Sequence, residues 1–204
     1  MAEMRKPKVD LKELASNQVT KTIKIVDKDG KTTDQTVSIT MTEPDVETKL
    51  AINDLSNVGN DRGDYGELVA QALQNVLVSP RLDFKAMDEA IESDDSKAKR
   101  VITFKGKDDK NHKVTVVYPG YREALNLIND AGGLSGASHI ADYFRSANKS
   151  VYRDSKGNPI DFNFWKNAKN MYDVFGDTMN YLNEVMNTNG YNQIIGELIS
   201  FLSD

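Results

Sequence analysis

The sequence predicts an α+β fold, mainly helical, in which a β-hairpin followed by about three helices occurs twice and a helical hairpin closes the chain. Three observations carry this reading. Apolar residues alternate at Val37, Ile39 and Met41 and again at Val114, Val116 and Tyr118, roughly 77 residues further on. Each alternating run meets a proline, Pro44 or Pro119, and then a helical run that reaches Ile52-Asn53-Asp54 or Ile128-Asn129-Asp130. Each copy then arrives at another proline, Pro80 or Pro159, just ahead of an apolar-Asp-Phe triplet, Leu82-Asp83-Phe84 or Ile160-Asp161-Phe162.

Residues 1–19 are polar and mixed, with Leu11 and Leu14 as apolar anchors, and read as an N-terminal arm or a short helix. Ile23 and Ile25 alternate with polar neighbours, Asp29-Gly30 tolerates positive φ, and Val37, Ile39 and Met41 return the strand, so a hairpin is predicted. Thr42 with Asp45 three residues later resembles an N-cap pair, and Pro44 sits in the first turn, so a helix is expected to start there. Val46, Leu50, Ala51 and Leu55 give that helix its apolar face, and Asn57 to Gly66 reads as loop. Leu68, Val69, Ala72, Leu73 and Val76 fall at helical spacing, which predicts a second helix to about Leu77. Asp83 is placed to cap a third helix, with Leu82 and Met87 as a hydrophobic staple.

The second copy follows the same order after a charged junction between Glu92 and Arg100. Ile102 and Phe104 open it, and Val114, Val116 and Tyr118 return. Tyr121, Ala124, Leu125 and Ile128 form an amphipathic helix that Gly132, Gly133 and Gly136 break, and Ile140, Tyr143, Phe144 and Ala147 continue the pattern. Asp161 is the expected cap and Ile160 with Trp165 the staple pair. Met171, Val174, Phe175, Met179, Leu182 and Met186 then form one stripe, Asn187 to Gly190 stops it, and Tyr191, Ile194, Ile195, Leu198, Phe201 and Leu202 form another. The chain thus divides into an arm over residues 1–19, a first hairpin-helix unit over 20–93, a second over 100–170, and C-terminal helices over 171–204.

Composition narrows the function. The chain has 204 residues, 39% hydrophobic and 28% charged, which is enough for a filled core. A net charge of −5 argues against a nucleic-acid footprint, since phosphate binding needs clustered Lys and Arg. Arg5, Lys6 and Lys8 are the nearest approach to one, and they read as a solvated terminus. Cysteine is absent, so disulfides, thiolate metal sites and a Cys nucleophile play no part, which fits a reducing compartment. No signal peptide or membrane-spanning run is evident, and the expectation is an intracellular protein.

Candidate sites each meet a plainer explanation. His112 and His139 lie far apart without partners to complete a metal shell, and no Gly-rich loop carries the Lys-Ser/Thr of a phosphate cradle. Asp27-Lys28-Asp29-Gly30 starts like a calcium loop and lacks its later ligands. Arg62-Gly63-Asp64 and Asn148-Lys149-Ser150 spell adhesion and glycosylation signals, and both suit ordinary loop and helix ends. No catalytic residue, cofactor or metal is therefore assigned. The C-terminal methionines can serve either core packing or an adaptable binding surface.

The order of a polar-turn hairpin, a helix, a second helix such as Leu68 to Leu77, and a Pro-x-x-Asp element opening a third, here Pro80 to Ile91, resembles the tail assembly chaperones of long-tailed bacteriophages and prophages of Gram-positive hosts. The doubled unit departs from the shortest members. The resemblance implies a non-enzymatic protein that binds the tape-measure protein and tail-tube subunits in the host bacterial cytoplasm during tail morphogenesis. A long, coiled-coil-prone tape measure exposes apolar stripes that amphipathic helices can cover. The expected contact residues are Met179, Met186, Leu198, Phe201 and Leu202. The alternative is a structural virion component, a head-tail joining or tail-terminator protein, whose ring needs closing interfaces and a homo-oligomer. A third reading is an enzyme built on a carboxylate pair, for which the sequence supplies no pattern.

Overall fold

The computed structural model describes residues 17–26, 31–56, 63–132 and 139–203. Most of the N-terminal arm, the Asp29-Gly30 turn, Asn57 to Arg62, and Gly133 with Gly136 lie outside the described residues. The fold is α+β and mainly helical, and it contains two hairpin-helix repeats followed by a C-terminal helical hairpin.

In the first repeat β1 (Gln18–Val26) pairs antiparallel with β2 (Thr32–Thr42), Ile23 opposite Val37 and Val19 opposite Met41. Asp45 caps α1 (Val46–Asp54) through its carboxylate on the Thr48 N–H at 2.8 Å. Asp64 caps α2 (Tyr65–Asn75) in the same way on Glu67 at 2.9 Å. The chain then returns to the sheet as β3 (Leu77–Ser79) beside β2. Asp83 caps α3 (Phe84–Glu92) on the Ala86 N–H at 2.8 Å, as the sequence leads one to expect.

A short helix, α4 (Asp95–Ala98), occupies the charged junction and leads into the second repeat. Here β4 (Lys99–Lys105) and β5 (Asn111–Val117) form the hairpin, α5 (Tyr121–Asp130) and α6 (Ile140–Ser150) follow, and β6 (Tyr152–Arg153) returns to β5. Both sheets are three-stranded, with their strands side by side in chain order.

Hydrogen bonds repeat along with the topology, at an offset of about 75 residues. The Thr42 N–H donates to the Val76 carbonyl at 2.9 Å, and the Val117 N–H donates to the Val151 carbonyl at 2.9 Å. The N–H groups of Val76 and Val151 return to Ala72 and Ala147, closing α2 and α6 alike. Asp64 donates to Leu55 and His139 to Asp130, so the start of the second helix is tied to the end of the first in both copies.

Three expectations about the extent of elements change. Thr42 remains in β2, so the cap of α1 is Asp45 and Pro44 precedes it. The second helix ends at Asn75, because Leu77 to Ser79 gain more as a strand on an open sheet edge than as another helical turn. In the second copy the third helix is only a 3-10 turn, Phe164–Asn167. A turn held by Asp154, whose carboxylate accepts from the N–H groups of Lys156 and Asn158, lengthens the approach to it. Asp161 still receives the Asn163 N–H at 2.8 Å, and Trp165 is buried behind it.

The C-terminal hairpin joins the two repeats. α7 (Met171–Met186) packs on β4, a 3-10 turn (Thr188–Gly190) reverses the chain, and α8 (Tyr191–Ser203) packs on α2 and β1. Tyr181 donates its hydroxyl to the Lys97 carbonyl at 2.7 Å, and Asn187 donates its amide to the Val26 carbonyl at 2.7 Å. Leu182, Val185, Ile194 and Leu198 are buried in a core that runs through both repeats. An apolar hairpin of this kind cannot satisfy its faces alone, and here α7 packs on the second repeat while α8 packs on the first and also reaches Tyr121 of the second.

Candidate functional site

The two repeats meet where α2 crosses α5. Gly66, in the first turn of α2, lets the helices approach closely: a Cβ there would stand 3.1 Å from the Arg122 carbonyl oxygen. Its N–H donates to the Asn126 side-chain oxygen at 2.9 Å, which satisfies one of the donors that a helix start leaves over. Arg122 pairs with Glu67 beside it.

α5 begins at Gly120, whose φ of 93° suits glycine and which has no side chain to cap with. Asp88 of α3 takes that role from outside, receiving the Tyr121 N–H and the Tyr118 hydroxyl, each at 2.8 Å. This fixes the Tyr121 ring, stacked 6.0 Å from Phe84, with its hydroxyl 2.7 Å from Asn192. Burial pushes the Tyr118 and Tyr121 hydroxyls well above the ordinary phenol range, so both stay neutral donors.

Beside this contact α2, α5, α7 and α8 leave a cleft of about 320 Å³. Val69, Leu125, Ile128, Met186, Ile195 and Ile199 give it apolar walls, and Asn183 and Asn192 supply amides. Gly196 lies on the wall, and a Cβ added there would meet nothing within 4 Å. The arrangement suits an apolar side chain, with amides at hand for a polar backbone or side-chain group.

Of the five expected contact residues, Met186 reaches this cleft, as part of its buried wall. Leu198 and Leu202 are buried in the core, and Met179 and Phe201 are half-buried against it. Val69, Leu125 and Ile128 are cleft residues that sequence reasoning assigned only to helix faces. Their helical spacing marks them as inward-facing positions, but the crossing of α2 on α5 has no sequence signature.

The other singled-out residues find structural uses. His112 lies 3.0 Å from Asp108, a contact that holds the Asp108 carboxyl below its usual range, and His139 begins α6. Asn148 is buried with its side-chain oxygen on the Trp165 indole N–H at 2.9 Å, which leaves it no room to carry a glycan. Among the described residues no group of three or more His, Cys, Asp or Glu side chains is placed to hold a metal ion, and no helix is long and apolar enough to cross a membrane. No family model matches this chain, and no curated protein or solved structure is significantly similar to it.

Proposed function

We propose that this protein is a tail assembly chaperone of a long-tailed bacteriophage or prophage, a non-enzymatic binder of helical segments of the tape-measure protein in the host cytoplasm, with tail-tube subunits as its second partner. What supports the reading is the cleft between α2, α5, α7 and α8, an apolar recess rimmed by amides and containing Met186. A coiled-coil-prone client exposes apolar side chains at three- and four-residue spacing, and one such side chain inserted beside Met186 and Ile195 would anchor a helix laid across the recess. Thioether and branched side chains at such a wall repack around clients of differing sequence.

Co-expression with the tape-measure protein tests this. The wild-type chain is expected to keep the client soluble and to co-purify with it, and mass spectrometry of finished virions is expected to find the chain missing. Gly196→Phe, which places a ring in the open space beside the cleft, is expected to abolish co-purification while the chain stays folded. Recovery of the chain as a stoichiometric virion component would overturn the chaperone reading, and undiminished capture by Gly196→Phe would overturn the assignment to the cleft.

A further inference from the structure

The internal repeat makes α1 and α5 equivalent residue by residue: Val46 corresponds to Tyr121, Glu47 to Arg122, Leu50 to Leu125, Ala51 to Asn126 and Ile52 to Leu127. Ile52 and Leu127 are both buried. On the outer face the copies part. Tyr121 and Leu125 are buried, whereas Val46 is 75% exposed and Leu50 59% exposed, one helical turn apart. What covers the α5 face is visible in the same molecule. Tyr121 lies against Tyr191 and Asn192, and Leu125 borders Met186 and Ile195, so the cover is a pair of helices presenting apolar side chains. In the first repeat the same face has no such cover among the described residues.

We propose that the bare face of α1 is a docking surface for an amphipathic helix of another protein, apolar on the side that meets Val46 and Leu50 and basic along its flanks. The charge of α1 and its approach sets the sign of those flanks. Glu43, Asp45, Glu47 and Asp54 stand there against Lys49, which lies 3.7 Å from Glu43. At the position of Glu47 the second repeat has Arg122, held by Glu67, so the covered copy and the bare copy carry opposite charges at one site. A second copy of this chain is a poor occupant for the same reason. Repeating the contact of α2 on α5 between copies would set Asp142, the equivalent of Glu67, opposite Glu47, and Ala51 in place of the Asn126 acceptor, while Met186, Tyr191 and Ile195, which cover Tyr121 and Leu125, are already buried within the chain. The face shares no residue with the cleft, so this docking goes beyond the client site proposed above.

The test uses the full chain, methyl-labelled, with two synthetic helical peptides of about five turns that share one leucine stripe. One has lysine flanks and the other glutamate flanks. The lysine peptide is expected to shift the Val46, Leu50 and Ala51 methyl resonances and to bind at least about tenfold more tightly than the glutamate peptide. Leu50→Asp is expected to weaken it by about tenfold or more, and Glu47→Lys to reverse the preference. Both residues are exposed, so the variants should melt with the wild type; Val46→Lys serves as a second variant should either fail to fold. Gly196→Phe is expected to bind the lysine peptide as the wild type does, which separates this face from the cleft. Equal affinity for the two peptides, or shifts confined to Ile128 and Ile195, would overturn the proposal. So would wild-type self-association that Leu50→Asp abolishes, or a tenfold gain in peptide affinity on deleting residues 1–16, since the occupant would then be a second copy or the chain's own N-terminus.

Discussion

The Gly66 N–H and the Asn126 side-chain oxygen, 2.9 Å apart, form a polar contact across the boundary between the repeats, at a point where α2 has no room for a side chain. Gly66→Ala is therefore predicted to destabilise the protein, although alanine favours a helix by about 1 kcal/mol. The added methyl would lie 2.6 Å from the Arg122 Cγ and 3.1 Å from its carbonyl oxygen, and overpacking of this kind costs about 1–3 kcal/mol. Asn126→Ala is predicted to cost about 1–2 kcal/mol by leaving the donor unpaired. Urea unfolding of the two single variants and the double variant checks both, and the effects should fail to add, because the variants disturb one contact.

Trp165 is the only tryptophan in the chain and sits behind the second sheet among Phe104, Phe144, Tyr152 and Phe164, with ring centroids 5.0–5.9 Å away. Trp165→Phe keeps an aromatic ring and removes the indole N–H that Asn148 accepts, so a loss of about 2 kcal/mol is expected. In the wild type, Trp165 emission should be blue-shifted. Its unfolding transition should coincide with that of far-ultraviolet circular dichroism, since one core runs through both repeats. Separate midpoints would mean that the repeats unfold independently.

The repeat was legible in the sequence because its signals are local. Alternation at Val37, Ile39 and Met41, helical spacing at Tyr121 to Ile128, and an Asp before a helix at Asp83 each depend on a few neighbouring residues. What escaped depends on distant ones. β3 and β6 are too short to show a period, and they exist because β2 and β5 offer open edges. Leu198 and Leu202 read as candidates for a partner because a hairpin's apolar faces exceed what it can bury alone. Nothing in the spacing says that α2 and β1 are there to receive their helix. The bare face of α1 had the opposite fate: Val46 and Leu50 look like core residues by spacing, and they are exposed.

Alkaline unfolding should be led by buried tyrosines. Burial raises the hydroxyls of Tyr118, Tyr121, Tyr143, Tyr152 and Tyr181 above the ordinary phenol value, and Tyr143, Tyr152 and Thr178 form a chain of hydroxyl contacts at 3.2 and 3.1 Å. The unfolded chain releases these protons near pH 10 and the folded chain holds them to higher pH. Their contribution to stability is thus intact below about pH 10 and is lost as pH rises above it. Phenolate absorbance and circular dichroism should therefore change together for these five residues. Their ionisation in a chain that keeps its native circular dichroism would contradict the burial described here.

Two neighbours on α8 give the sharpest test of which C-terminal residues serve the fold. Leu198 is fully buried, and Leu198→Ala removes packed methyl groups from a core that has few ways to close around the gap, so a loss of about 2–5 kcal/mol is expected. Gly196, two residues earlier, is exposed and has open space where a Cβ would go. Gly196→Ala should therefore stabilise the chain by about 0.5–1 kcal/mol, because alanine restricts the unfolded chain and suits the helix better. Opposite signs in urea unfolding would place Leu198 inward and Gly196 on the open wall. Near-neutral behaviour of Leu198→Ala, together with loss of client capture at unchanged stability, would return Leu198 to the binding surface that its spacing first suggested.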